Sequence, residues 1–147
     1  MKKGIRLYNV LFPLWMLMLF PQMWLIVLPG NFLVDSAVLL LAMAALKITE
    51  RKTVYKQHIL KVFCFGLLAD VIGSGLMFLV LILDLYQTGN EWYLAIPAVI
   101  LSSICIFLFN YFITFKKMEK TIRLKLALTF AVVTAPYTFM VPTTWLY

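Results

Sequence analysis

Long stretches of this chain carry no charged side chain, and this feature limits its fold more than any other. Residues 7–34 contain no Asp, Glu, Lys or Arg, and residues 92–115 contain none either. A helix of about 20 apolar residues crosses the roughly 30 Å hydrocarbon core of a bilayer, so each run is long enough to span it. Of the 147 residues, 64% are hydrophobic and 13% are charged, whereas a soluble domain has about 25% charged residues. The sequence therefore predicts a membrane protein with essentially no soluble domain.

The apolar runs predict an all-α fold: a polytopic integral membrane bundle of about five transmembrane helices, in one domain over residues 1–147. The Pro29-Gly30-Asn31 triplet divides the first run, because this triplet is typical of a turn. A kink at Pro136 is expected in the last helix, since proline removes a backbone donor. The predicted helices cover residues 7–28, 32–47, 59–83, 92–115 and 122–141.

The first two helices leave an alternative open. Residues 32–46 rise only about 22 Å, which is less than the hydrocarbon thickness. The pair could instead form a re-entrant hairpin that breaks at Pro21 and returns to its starting side, and three full crossings would then remain. Beside that proline, Gln22 either bonds to the freed backbone or helps to line a cavity. A cleaved secretory signal is not expected, because the apolar run is too long and no small-x-small site follows it.

The positive charges fall on alternate loops. All thirteen Lys and Arg residues lie at the N-terminus, in residues 47–61 or in residues 116–125. Because cytoplasmic loops collect Lys and Arg, the pattern predicts a cytoplasmic N-terminus and a C-terminus outside. We expect the location to be a cell membrane, specifically a bacterial cytoplasmic membrane. Topology explains the net charge of +7, and no nucleic acid is expected as a partner because no folded domain offers a basic face.

The chain has no signature of an enzyme, a metal or a cofactor. Cys64, Cys105 and His58 are too few and too scattered for a zinc or haem site. The sequence also offers no paired carboxylates at a common depth, no nucleophile elbow and no phosphate loop. The expected partners are the lipid bilayer, further copies of the chain or another membrane protein, and anionic lipid at the basic loops.

Asp70 is the ionisable side chain predicted to lie deepest in the membrane. It follows Lys61 by nine residues, which places it about 14 Å above the cytoplasmic edge. An acid at this depth usually faces the bundle interior or a water-filled cavity. Since no basic residue is expected at this depth, desolvation favours the protonated carboxyl. Helical spacing places Asp70 on a face of small residues, which let a second helix approach closely; this candidate helix-packing face comprises Gly66, Gly73 and Ser74.

Other polar residues are predicted to lie near Asp70. Thr134 is expected at nearly the same height, and Asn110 about one turn nearer the cytoplasm. The candidate intramembrane polar site therefore comprises Asp70, Ser74, Asn110 and Thr134. Asp35 is expected near the outer end of the second helix and at a different height from Asp70. There it would cap the helix or lie in the headgroup layer, with a ligand role as the alternative.

Two functions fit this pattern. The first is a non-catalytic component, such as an accessory, assembly or regulatory subunit, that acts through helix packing. Asp70 would then be a protonated acid that bonds two helices together. The alternative is a small oligomeric transporter or channel-like protein, coupled to protons or cations, in which Asp70 is the functional centre. The sequence favours the first function, because it shows no catalytic chemistry and because the third predicted helix has a face of small residues.

Overall fold

The computed structural model describes residues 21–83 and 91–137, which form four α-helices and contain no strand. The helices are α1 (Pro21–Ala45), α2 (Arg51–Ile82), α3 (Glu91–Phe109) and α4 (Lys120–Val133), and a π-helical turn (Asn110–Thr114) continues α3. The predicted all-helical class is confirmed. Three spans are long and apolar enough to cross a membrane, namely Trp24–Ala45, Arg51–Val80 and Ala95–Thr114. The count of about five crossings and the sides of the two termini stay predictions.

The turn predicted at Pro29-Gly30-Asn31 is wrong, because α1 runs through this triplet as one helix. A proline inside a helix removes one backbone donor. A chain that left the helix in hydrocarbon would expose several unpaired groups, which costs more. Pro29 and Gly30 also lie on the exposed side of α1, where the proline ring displaces no packed neighbour. The span Trp24–Ala45 has 22 residues and rises about 33 Å, so it is not the short helix that was expected.

The first predicted helix, residues 7–28, lies mostly outside the described residues. The break at Pro21 that the re-entrant alternative requires falls at the start of α1, and residues 1–20 are not described. Gln22 lies in the first turn of α1, with an exposed side chain.

The other helices differ from the predictions at their ends. α2 begins at Arg51 rather than at residue 59, since the basic segment after the loop is helical as well. α3 and its π turn together end at Thr114, close to the predicted end. α4 ends at Val133, before the kink expected at Pro136, and the helix end predicted at residue 141 lies outside the described residues. The ring of a proline disfavours helical backbone at the preceding residue, and here it ends the helix.

α1 ends in a Schellman motif at Lys47. The backbone of Lys47 has φ of 54°, a left-handed conformation that is usual for glycine at this position. Its N–H donates to the carbonyl of Ala44 at 3.2 Å, and the N–H of Ile48 donates to the carbonyl of Met43 at 3.0 Å. Leu46 and Ile48 then pack on the core. This sharp end turns the chain back so that α2 packs against α1.

The main hydrophobic core lies at the end of the bundle where the two basic loops meet, which we call the basic end. α1 and α3 each pack against both α2 and α4. Phe115 is fully buried at this end, and its ring centroid lies 5.4 Å from that of His58 and 6.2 Å from that of Phe130. His58 is therefore a buried residue of α2 rather than a loop residue. A smaller cluster at the opposite end comprises Met77, Ala95, Ala98, Val99 and Ala135.

The substitution Phe115→Ala should lower the free energy of unfolding by about 2–4 kcal/mol, because it leaves a cavity between α2, α3 and α4. Phe112→Ala is the matched control, since Phe112 is 60% exposed and should contribute less than about 0.5 kcal/mol. Unfolding in mixed micelles of mild detergent and dodecyl sulfate, followed by circular dichroism, measures both variants. Equal losses would contradict the central position of Phe115.

Candidate functional site

Asp35 and Asp70 meet inside the bundle, between α1 and α2. Their side chains are only 6% and 8% exposed. Asp35 Oδ2 lies 3.4 Å from the point that a Cβ atom at Gly66 would occupy, and Gly66 precedes Asp70 by one turn on the same face of α2. The Asp35 carboxyl group therefore lies within about one helical turn of Asp70 along α2. The structure thus contains a carboxyl pair where the sequence predicted one isolated acid.

Asn31 completes this site from α1. Its Nδ2 donates to Asp70 Oδ2 over 3.4 Å, a long hydrogen bond. Asn31 and Asp35 are four residues apart and therefore share one face of the helix. The second carboxyl oxygen, Asp70 Oδ1, is buried and has no hydrogen-bond partner within the described part of the chain. We call Asn31, Asp35 and Asp70, together with Gly66, the acid site.

The expected position of Asp35 was wrong, because α1 starts eleven residues before the predicted start of the second helix. Asp35 therefore lies in the interior of α1 rather than near its outer end, and it caps no helix end. The spacing of Asn31 and Asp35 was the signal that could have revealed the pair. The turn assigned to residues 29–31 concealed it, since a turn would separate these two side chains onto different elements.

The acid site cannot hold two negative charges at low cost. Two like charges that lie close together inside a protein repel each other more strongly than in water. A buried carboxylate that lacks a compensating charge also loses several kcal/mol in solvation. Lys61, the basic residue nearest to Asp70 along α2, is exposed and does not reach into the interior. One positive charge between the carboxyl groups, from a proton or a cation, would remove the repulsion.

The other residues that the sequence predicted for the polar site and the helix-packing face differ in their burial and in their bonds. Gly73 and Ser74 are buried on the same side of α2 as Asp70, and Gly66 is half-buried. Thr134 is half-buried, and its hydroxyl donates to the carbonyl of Phe130 at 2.8 Å within its own helix. Serine and threonine often satisfy their hydroxyl groups in this way.

Ser102 is a polar residue of this region that the sequence analysis did not single out. Its hydroxyl donates to the carbonyl of Ala69 at 2.9 Å, which fixes α3 against α2 beside Asp70. Asn110 follows Ser102 by eight residues and thus lies about 12 Å nearer the basic end. It is fully buried, and its side-chain oxygen and nitrogen have no partner among the described residues. Each such group costs about 1–3 kcal/mol, so Asn110 forms a separate polar feature.

The donor set of the acid site comprises two carboxyl groups and one amide, all of which offer oxygen atoms, the ligand type that hard cations prefer. Among residues 21–83 and 91–137, no group of three or more His, Cys, Asp and Glu side chains could hold a metal ion.

The substitution Gly66→Leu should lower the free energy of unfolding by about 2 kcal/mol, because its side chain would occupy the space of the Asp35 carboxyl group. Gly75→Leu is the matched control on the same helix. A Cβ atom at Gly75 meets nothing within 4 Å, and the gain in helix propensity should stabilise this variant by about 0.5–1 kcal/mol. Chemical unfolding in mixed micelles compares the two, and equal stability would refute the close approach of α1 at Gly66.

Comparison with known proteins gives no match: no family model, no curated protein and no solved structure is significantly similar to this chain. Its function must therefore be inferred from its own residues, and the acid site is the feature that bears on it most directly.

Proposed function

We propose that this chain is a small multi-pass membrane protein that binds a proton or a monovalent cation at the acid site and moves it across the membrane. The observation that carries this proposal is the pairing of buried Asp35 and Asp70 across α1 and α2. Ionisable residues at membrane depth usually mark ion pathways or proton relays. A bundle of about five helices would enclose little volume, so the proposed working form is an oligomer.

The chemistry of the pair supports reversible binding. With one bound positive charge the two carboxyl groups keep a single net negative charge, and with two they are neutral. A neutral site is tolerated in an apolar interior, whereas a charged site requires water or a counter-ion. Loading and release are therefore coupled to hydration of the site. Asn31 supports this exchange because its amide bonds only one of the two Asp70 oxygens.

The basic end gives the proposed orientation. The stack of His58 on Phe115 holds the loop after α1 next to the loop after α3. The Lys and Arg residues of both loops thus lie at one end, as expected for the cytoplasmic face of a cell membrane. We propose the bacterial cytoplasmic membrane as the location, with the N-terminus inside. Anionic lipid headgroups would contact the exposed lysines of this end.

Cysteine labelling tests this orientation. The variants Lys52→Cys and Lys117→Cys, made in a chain with Cys64→Ala and Cys105→Ala, replace an exposed residue in the first turn of α2 and an exposed residue of the loop before α4. A membrane-impermeant maleimide should label both from the cytoplasmic side only. Leu83→Cys, at the opposite end of α2, is the control and should be labelled from the other side only. Labelling of all three from one side would contradict the proposed arrangement.

The proposed transport depends on both acids. In proteoliposomes, Asp35→Asn and Asp70→Asn should each reduce flux at least a hundredfold, because an amide cannot take up or release a proton at neutral pH. A hundredfold loss of flux corresponds to about 2.8 kcal/mol at 1.4 kcal/mol per tenfold. A pH-sensitive dye detects proton flux, and uptake of labelled sodium or potassium ions detects cation flux. The two measurements distinguish the two ligands.

The controls separate transport from folding. Glu119→Gln changes an exposed acid in the loop after α3 and should leave flux unchanged. Both Asn variants should remain folded by circular dichroism and at least as stable as the original chain, since each removes a buried carboxyl group. Native-level flux in both Asn variants, or no flux of any ion in the original chain, would overturn the transport proposal.

The second candidate function is a non-catalytic component that acts through helix packing. One specific observation favours it: Gly30, Ala37 and Ala44 recur every seven residues along α1, and all three are exposed. Small residues at this spacing let another membrane helix pack closely. The acid site would then serve to fix α1 against α2. Loss of assembly in Asp70→Asn, measured by native mass spectrometry in mild detergent, would support this function.

A further inference from the structure

The π turn at the end of α3 contains a second buried polar cluster. Asn110 is 0% and Thr114 is 3% exposed. Asn110 Oδ1, Asn110 Nδ2 and Thr114 Oγ1 have no hydrogen-bond partner in residues 21–83 and 91–137. The N–H of Phe115 donates to the carbonyl of Asn110 at 2.9 Å, which gives the wide five-residue turn. Such turns occur mostly as single turns of α-helices and are frequent at functional sites.

Ring contacts between α2 and α3 give the height of this cluster. The ring centroids of Phe65 and Phe109 lie 5.3 Å apart. Phe65 directly precedes Gly66 in the chain, and Phe109 directly precedes Asn110. The hydrogen bond of Ser102 to α2 aligns the two helices in the same way. Asn110 therefore lies about one turn nearer the basic end than Gly66, and the Asp35 carboxyl group lies at the height of Gly66.

Thr114 continues this series of polar groups. It lies one turn beyond Asn110, beside Phe115, whose ring stacks on that of His58. Buried polar groups therefore occur at steps of about one turn from Asp70 through Asp35 and Asn110 to Thr114. The last of them lies close to the exposed basic loops.

We infer that the Asn110–Thr114 turn is a water-binding site through which protons or cations pass between the acid site and the basic end. A buried water molecule makes two to four hydrogen bonds. The turn offers one amide that donates, one carbonyl that accepts and one hydroxyl that does either. These groups meet the requirement within a single turn. The inference rests on the proposed function, because it supplies the cytoplasmic half of the route to the acid site.

Two titratable or basic groups flank the turn in the described interior. On α2, His58 is buried and stacks on Phe115, and its Nδ1 lies 2.8 Å from the carbonyl of Val54. On α4, Arg123 bonds to Tyr111 of the turn at 3.1 Å and covers its ring at 4.3 Å, and its buried Nε has no hydrogen-bond partner among the described residues. Leu126 and Phe130, which belong to the core on α4, are apolar and fully buried.

Thiol reactivity tests for water at the turn, because a cysteine reacts as its thiolate and the thiolate forms where water reaches it. The variants Asn110→Cys and Thr114→Cys would be made in the chain with Cys64→Ala and Cys105→Ala. Ala127→Cys is the matched control, since Ala127 is fully buried on α4 between residues that contact Tyr111 and Phe115. The probe is N-ethylmaleimide, applied to the folded protein in vesicles and detected by mass spectrometry.

Both turn variants should react with N-ethylmaleimide at least tenfold faster than Ala127→Cys does. Prior treatment with an impermeant maleimide from the basic end should slow the reaction of Thr114→Cys with N-ethylmaleimide. Reaction of both at the control rate would overturn the inference.

Asn110→Leu gives a second readout. This variant should remain folded and reduce flux at least tenfold, and unchanged flux would also overturn the inference. The labelling result does not depend on flux, so failure of the water site and failure of the transport proposal are distinguishable.

Discussion

The rest of the structure depends on the continuity of α1 through Pro29. In hydrocarbon an unpaired backbone group has no water to bond to, so the chain stays helical where a soluble protein would turn. Because the helix continues, Asn31 and Asp35 remain on one face and reach α2 at the height of Gly66 and Asp70. A turn at the triplet would have moved Asp35 towards the membrane surface. The need to keep backbone hydrogen bonds in the membrane therefore determines which side chains meet at the acid site.

The helical fold class and the span of α3 together with its π turn could be predicted from the sequence, since both follow from charge-free length alone. The two prolines show where such prediction ends. Pro29 lies within a continuous helix, whereas Pro136 lies beyond the end of α4. The residue type is the same in both cases, and the outcome depends on the surroundings. After α4 the chain finds other bonds, such as that from the N–H of Tyr137 to the carbonyl of Ala135.

The acid site was only half predictable, for a related reason. The depth of Asp70 follows from its distance to Lys61 along one helix, because helical rise is constant. Its neighbours depend on how α1 packs, which no local pattern gives. Thr134 was singled out by height, yet its hydroxyl bonds within its own helix. Asn31 was assigned to a turn and is the residue that bonds Asp70. The height of a residue along the membrane normal can be counted from the sequence. The neighbour that its side chain faces can be identified only from the packed helices.

The short length of α4 has a consequence for the acid site. With 14 residues it rises about 21 Å, and Ala135, just past its end, packs beside Ala98 and Val99, near the height of Ser102 and the acid site. Within the described residues, four helices support the basic half of the bundle and three support the other half. The acid site thus lies near the height at which α4 ends, and among the described helices it is held by α1 and α2 with α3 bonded beside it, rather than by α4.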